Sequence, residues 1–249
     1  MAKDRPGTTP APPGRPDAKS PTNPDVALSP RADIDAFLAQ VRGLAPSAQP
    51  GQRGRLVFAL DATMSRQPTW DTACRLQADM FREATATAGL DIQLVYYRGI
   101  SECRASRWVS QPERLSDLMV RIDCRGGHTQ IGKVLAHARQ ETGRQRVQAL
   151  VFVGDAMEEK IDDLSQAAGE LGMLGVPAFM FQEGNDPIAE QAFREVARLS
   201  KGAYGRFSAG SAHELAELLR AAAAYAAGGM KALSARRDGG AIKLLAQLR

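Results

Sequence analysis

Three short stretches carry oxygen donors of the kind a hard divalent cation takes: Asp61-Ala62-Thr63-Met64-Ser65, Gly126-Gly127-His128-Thr129 and Gly154-Asp155. Together Asp61, Thr63, Ser65, Thr129 and Asp155 offer two carboxylates and three hydroxyls. Magnesium prefers octahedral oxygen ligation and keeps several waters, so neutral hydroxyls with few anions suit it, and Mn²⁺ shares the donor set. Two carboxylates balance the two positive charges. A cation with so few direct anionic ligands stays electrophilic and can accept a carboxylate from outside. The glycines before Thr129 let that loop come close to an ion. His128, Trp70 and Glu158 flank these stretches and are candidates for supporting the site or meeting a partner.

Such residues can act together only if the fold brings them to one place. Leu56-Val57-Phe58-Ala59-Leu60 is a continuous apolar run that stops at Asp61, and Ala149-Leu150-Val151-Phe152-Val153 stops at Gly154-Asp155. Further strands are expected over 92–96, 178–181 and 204–207, with a short candidate at 106–109. Helical patterns lie between them, over 69–88, 113–122, 131–142, 160–174, 188–199 and 212–227. Strands that are apolar on both faces and alternate with helices predict an α/β domain with a doubly wound, mostly parallel sheet and helices on both faces. In such a sheet, sites form outside the carboxyl ends of the strands, which is where the three stretches fall.

The constellation resembles the von Willebrand factor A domain and its metal-ion-dependent adhesion site. The family pattern is Asp-x-Ser-x-Ser after the first strand, a Thr in a later loop and an Asp ending the central strand. Asp61, Thr63 and Ser65 match the first element, with Thr63 a change that keeps the hydroxyl. Thr129 matches the second and Asp155 the third. Each element alone is common by chance; all three in strand-end context, over about residues 55–227, form a specific signal. Arg66 and Ala156 stand where the family often has Met and Gly. The resemblance implies a Rossmann-like fold, Mg²⁺ or Mn²⁺ bound by Asp61, Thr63, Ser65, Thr129 and Asp155, and a protein partner whose Glu or Asp completes the metal shell. It implies a binding module and not an enzyme. Intracellular bacterial members often work with ATPase or chaperone partners, so an adaptor in such a complex is the expectation.

Other readings of the same residues are a metal-dependent phosphoryl or ester hydrolase, a metal-free scaffold, and plain helix capping by Asp61 and Asp155. A phosphatase of the haloacid type needs a carboxylate where Thr63 stands, and a dinucleotide fold needs glycines that 61–66 lack. Gly127 to Lys133 spells Gly-x-x-x-x-Gly-Lys, but Val134 replaces the hydroxyl residue of a P-loop and the preceding segment reads as helix. Cys103, Cys124 and His128 make no metal spacing, and three scattered histidines argue against a catalytic triad. His137 is expected on a helix surface. Trp70 is expected to pack under the site loop, its alternative being an exposed interface anchor.

The chain has 249 residues, 44% hydrophobic and 24% charged, with a net charge of +4. These values suit a cored domain, and the charge is too low for a dedicated nucleic-acid binder, so nucleic acid is not the expected partner. No apolar run reaches the ~20 residues that span a bilayer, no membrane contact is expected, and the N-terminal stretch lacks the apolar core of a signal peptide. With three cysteines, this points to a cytoplasmic protein. Ten of the fourteen prolines lie in the first fifty residues. Residues 1–28 read as a disordered Pro-rich arm and 29–50 as an amphipathic helix and linker, ahead of the domain at 51–228. The last 21 residues, 229–249, carry five cations against one anion. They read as a separate basic tail with a short helix striped by Ile242, Leu245 and Leu248, a candidate second docking segment.

Overall fold

Residues 53–70, 89–208 and 211–248 are described in the computed structural model. The N-terminal arm, the helix expected near Ser29-Pro30 and most of the helix expected over 69–88 lie outside them. The apolar runs form β1 (Gly54–Asp61), β2 (Leu90–Arg98), β4 (Ala149–Gly154), β5 (Ala178–Glu183) and β6 (Ala203–Phe207), with β3 (Glu102–Ala105) added at one edge. The helices are α1 (Pro112–Val120), α2 (Ile131–Arg144), α3 (Ile161–Met173), α4 (Pro187–Leu199), α5 (Ala212–Ser234) and α6 (Gly239–Leu245). Among the described residues the strands make one sheet in the order β3-β2-β1-β4-β5-β6. Every pairing is parallel except β2 with β3.

Side chains alternate across the sheet and sort the core into two layers. Leu56, Phe58 and Leu60 of β1 face α1, α5 and α6, where Leu115, Leu218, Ala222 and Leu244 are buried. Val57 and Ala59 face α2, α3 and α4, where Val134, Leu171 and Phe193 are buried. Local sequence sets the helix starts: Pro187 occupies the first turn of α4, and the Asp186 carboxylate accepts from the Ile188 and Ala189 N–H groups at 2.7 and 2.8 Å.

Two expectations, the edge strand and the C-terminal tail, are corrected. The edge strand is 102–105, not 106–109; only Val109 bridges, to Ile92. Glu-Cys-Arg-Ala is a half-polar edge and carries no apolar run to announce it. The helix expected to end at 227 does break at Gly228 (φ −139°) and Gly229 (φ 64°), and a second short helical stretch runs on to Ser234. The basic tail is not a separate segment. Leu233, Ala241 and Leu244 have no exposed surface and join the β1 core layer, while Ile242 is 60% exposed. The packed stripe is Ala241, Leu244, Leu245 and Leu248, the i, i+3, i+4, i+7 pattern of a 3.6-residue helix; the Ile242-based triplet of steps drifts off that face.

Candidate metal centre

β1 pairs with β2 on one side and β4 on the other, so the strand order reverses between β1 and β4. That reversal opens a crevice at the carboxyl ends. Leu60 lies opposite Val153, which brings Asp61 against Gly154. A Cβ on Gly154 would sit 3.3 Å from Asp61 Cβ and 2.8 Å from the Phe152 ring, so only glycine fits there.

Asp61 is fully buried. The Thr63 N–H donates to its Oδ1 at 2.8 Å and the Tyr97 hydroxyl donates to its Oδ2 at 2.9 Å. Burial is the main cause that raises its pKa to about 6; the Thr63 and Tyr97 hydrogen bonds oppose it, and the neighbouring Asp155 charge adds to it. Tyr97 is pushed well above the usual phenol range by burial and then by Asp61, so it stays a donor. Thr63 Oγ1 and Ser65 Oγ lie 3.2 Å apart. Thr63 is buried and Ser65 is exposed, so this pair runs from the interior to the surface.

The loop of the second element is bound to the segment that follows the third. The Glu158 N–H donates to Thr129 Oγ1 at 2.9 Å, and the Thr129 N–H donates to Glu158 Oε2 at 3.1 Å. His128 Nδ1 shares that Oε2 at 3.1 Å. Glu159 accepts from the Ile131 and Gly132 N–H groups at 2.5 and 2.9 Å, at the opening of α2. There it satisfies free donors and meets the positive end of the helix dipole. Gly127 packs on the β2–β3 turn so closely that a Cβ would come within 2.0 Å of the Gly99 carbonyl oxygen. Lys133 Nζ is held by the Ser101 carbonyl and Gln130 Oε1 at 3.1 and 2.8 Å, so the P-loop-like string forms no phosphate cradle.

Asp155 caps no helix: α3 starts at Ile161 with Lys160 at its N-cap. Its Oδ1 is buried and has no hydrogen-bond partner among the described residues. A buried carboxylate oxygen left unpaired is costly, and a cation would satisfy it. Among the described residues no three His, Cys, Asp or Glu side chains are grouped to hold a metal. A cation here would depend on Thr63, Ser65 and Thr129 as much as on Asp61 and Asp155. That donor set fits Mg²⁺ or Mn²⁺ and not a thiolate- or imidazole-seeking ion.

Trp70 is 4% exposed, and its indole N–H donates to the Ile122 carbonyl at 2.9 Å. It packs in the core layer that holds Phe58 and Leu60 and offers no face to a partner. His137 is half-buried, not on the surface, with Nε2 2.8 Å from Gln93 Oε1. Sequence reasoning missed Tyr97, Glu183 and the burial of Arg66. Tyr97 ends an apolar strand and reads as core. Arg66 and Glu183 pair in the interior from positions 117 residues apart, which nothing local signals.

This architecture is the von Willebrand factor A fold. A von Willebrand factor type A protein from Catenulispora acidiphila matches with a TM-score of 0.57 and 20% identity, over 71% of this chain and 43% of its own. The SpRpn10 VWA domain matches with a TM-score of 0.55 and 14% identity, over 69% of this chain and 95% of its own. The vWF domain of the type V pili tip protein Mfa5 from Porphyromonas gingivalis matches with a TM-score of 0.57 and 10% identity, over 75% and 97%. The chain thus spans less than half of the Catenulispora protein. No protein-family model and no curated protein matches the sequence.

Proposed function

We propose that the chain is a protein-binding module that uses the crevice between β1 and β4 to hold Mg²⁺ or Mn²⁺. Asp61, Thr63, Ser65, Thr129 and Asp155 would hold the ion, which when bound supplies an electrophilic site for a partner's Glu or Asp. The observation that carries this reading is the buried, unpartnered Asp155 Oδ1 beside Asp61 and the hydroxyls. In this reading the chain is an adaptor of an intracellular, cytoplasmic complex, linked to an ATPase or chaperone, and catalyses nothing. Of the three groups a hydrolase could use as base or nucleophile, Asp61 and His128 are engaged, since both Asp61 oxygens accept hydrogen bonds and His128 is tied to Glu158; that leaves Asp155, the group the metal reading assigns to the ion. Among the described residues no helix is long and apolar enough to cross a membrane.

Calorimetric titration of Mg²⁺ and Mn²⁺ into the wild-type chain and Asp155→Ala tests this. Binding to the wild type that Asp155→Ala abolishes is the expected result. At 100 times its dissociation constant the ion should also stabilise the wild type by about 2.7 kcal/mol. An absence of binding to the wild type overturns the metal reading and leaves a metal-free scaffold.

A further inference from the structure

The turn that carries the first site element also inserts an arginine into the protein. Residues 64–66 form a single 3-10 turn, closed by the Arg66 N–H on the Thr63 carbonyl at 3.1 Å. Met64 and Ser65 point outward, whereas Arg66 is 1% exposed and heads the fully buried side chains ranked by volume. An arginine stays charged in a protein, so this is a permanent interior cation. Its guanidinium forms a buried ion pair with Glu183 at the end of β5, which also accepts from Thr69 Oγ1 at 3.1 Å. Among the described residues, the anions acting on it across space are led by Asp155 and then Asp61.

The pattern of missing hydrogen bonds sharpens this. Five buried side-chain polar atoms lack a hydrogen-bond partner among the described residues, and four of them belong to Arg66 and Asp155. Gly154 of β4 lies opposite Gln182 of β5, so Glu183, the ion-pair partner of Arg66, stands beside Asp155 at the same end of the sheet. A buried ion without compensating charge costs several kcal/mol; Glu183 supplies that charge to Arg66 directly, and Asp155 and Asp61 add to it across space. Asp61, Asp155 and Glu183 bring three negative charges to the crevice and Arg66 one positive charge.

We propose that Arg66 is a built-in counter-cation of this centre, which keeps its carboxylates in place without a divalent ion and weakens the centre's own hold on one. The proposal rests on the metal-binding reading for its second half only. A divalent ion entering the crevice meets the repulsion of a fixed positive charge, and the deficit is largest when no outside carboxylate contributes.

The test is Mg²⁺ and Mn²⁺ titration of wild type, Arg66→Met and Arg66→Lys, with denaturation in EDTA alongside. Arg66→Met keeps an unbranched chain and removes the charge. It should tighten metal binding by at least about tenfold, while Arg66→Lys stays close to wild type. Unchanged or weaker metal binding in Arg66→Met overturns the proposal and leaves metal binding itself standing. If none of the three binds metal, the metal reading fails, and the counter-cation role is decided in EDTA by a double-mutant cycle with Asp155→Asn. The role requires Asp155→Asn to recover part of the stability lost in Arg66→Met, the rest being the unpaired Glu183; additive losses overturn it. If Arg66→Met does not fold, the same comparison is made in a Glu183→Gln background, where removal of Arg66 must still tighten metal binding.

Discussion

Thr129 and Glu158 exchange two hydrogen bonds across the crevice, each residue's backbone N–H donating to the other's side chain at 3.1 and 2.9 Å. The arrangement works like a capping box built from two loops 29 residues apart. It fixes the Thr129 hydroxyl relative to the segment that carries Asp155. Both loops thus reach the site already positioned, and Glu159 adds a second tie to the start of α2.

Glu158→Ala should therefore loosen the centre without unfolding the chain. The Glu158 side chain is half exposed, so the expected cost is about 1 kcal/mol in urea denaturation. Glu158→Gln keeps an acceptor for the Thr129 N–H and should lose less. Mg²⁺ affinity should fall in the same order, with Ala weaker than Gln. Equal affinity in all three proteins would mean that the pairing does not position Thr129.

The pH dependence of the metal-free protein has a defined sign at Asp61. Its folded pKa of about 6 lies above the ordinary carboxylate value, mainly through burial. The folded state then binds the proton more tightly than the unfolded chain does. Stability from this group is present below the unfolded pKa and is lost as pH rises from about 4 through about 6. Asp61→Asn should flatten that dependence in EDTA and raise stability at pH 7 to 8, because a neutral amide carries no desolvated charge. Denaturation curves at pH 5 and 7.5 read this directly; an unchanged difference between the two pH values in Asp61→Asn would show that another group titrates.

Tyr97→Phe separates the hydroxyl from the ring. The ring stacks near Phe152, with centroids 6.1 Å apart, and should stay in place. Loss of the hydrogen bond to Asp61 Oδ2 should cost about 1.5–3 kcal/mol at pH 7.5, where the acceptor is charged. The cost should shrink at pH 5. A cost equal at both pH values would mean that the hydroxyl acts on packing and not on the Asp61 charge.

The sheet and the position of the centre were legible because each rested on a continuous local signal. Apolar runs ending in Asp61 and in Gly154-Asp155 state both a buried parallel strand and the residue at its carboxyl end. β3 was misplaced because a four-residue edge strand needs no apolar run. The Arg66–Glu183 pair was hidden because a charged residue in a loop reads as solvated, and only the three-dimensional path of the 3-10 turn sends it inward. The C-terminal segment was misread for a related reason. Its cations dominate the sequence, while the residues that dock it are small or apolar, Ala241 and Leu244 among them.

That segment makes the last prediction. The Tyr204 N–H donates to Gln247 Oε1 at 2.9 Å, and Gln247 Nε2 donates to the Tyr204 carbonyl at 2.8 Å. Tyr204 lies on β6, the strand at the sheet edge, so the Gln247 amide occupies backbone groups that a neighbouring strand would otherwise use. An open edge is a template for association with another chain. Gln247→Ala should cost about 1 kcal/mol. Leu244→Ala should cost about 2–5 kcal/mol, because Leu244 has no exposed surface. Removal of residues 239–249 should uncover the edge together with the apolar face of α5, and light scattering should then show self-association that Gln247→Ala alone does not cause. A truncated chain that stays monomeric and as stable as the full one would show that the C-terminal segment does not protect this edge.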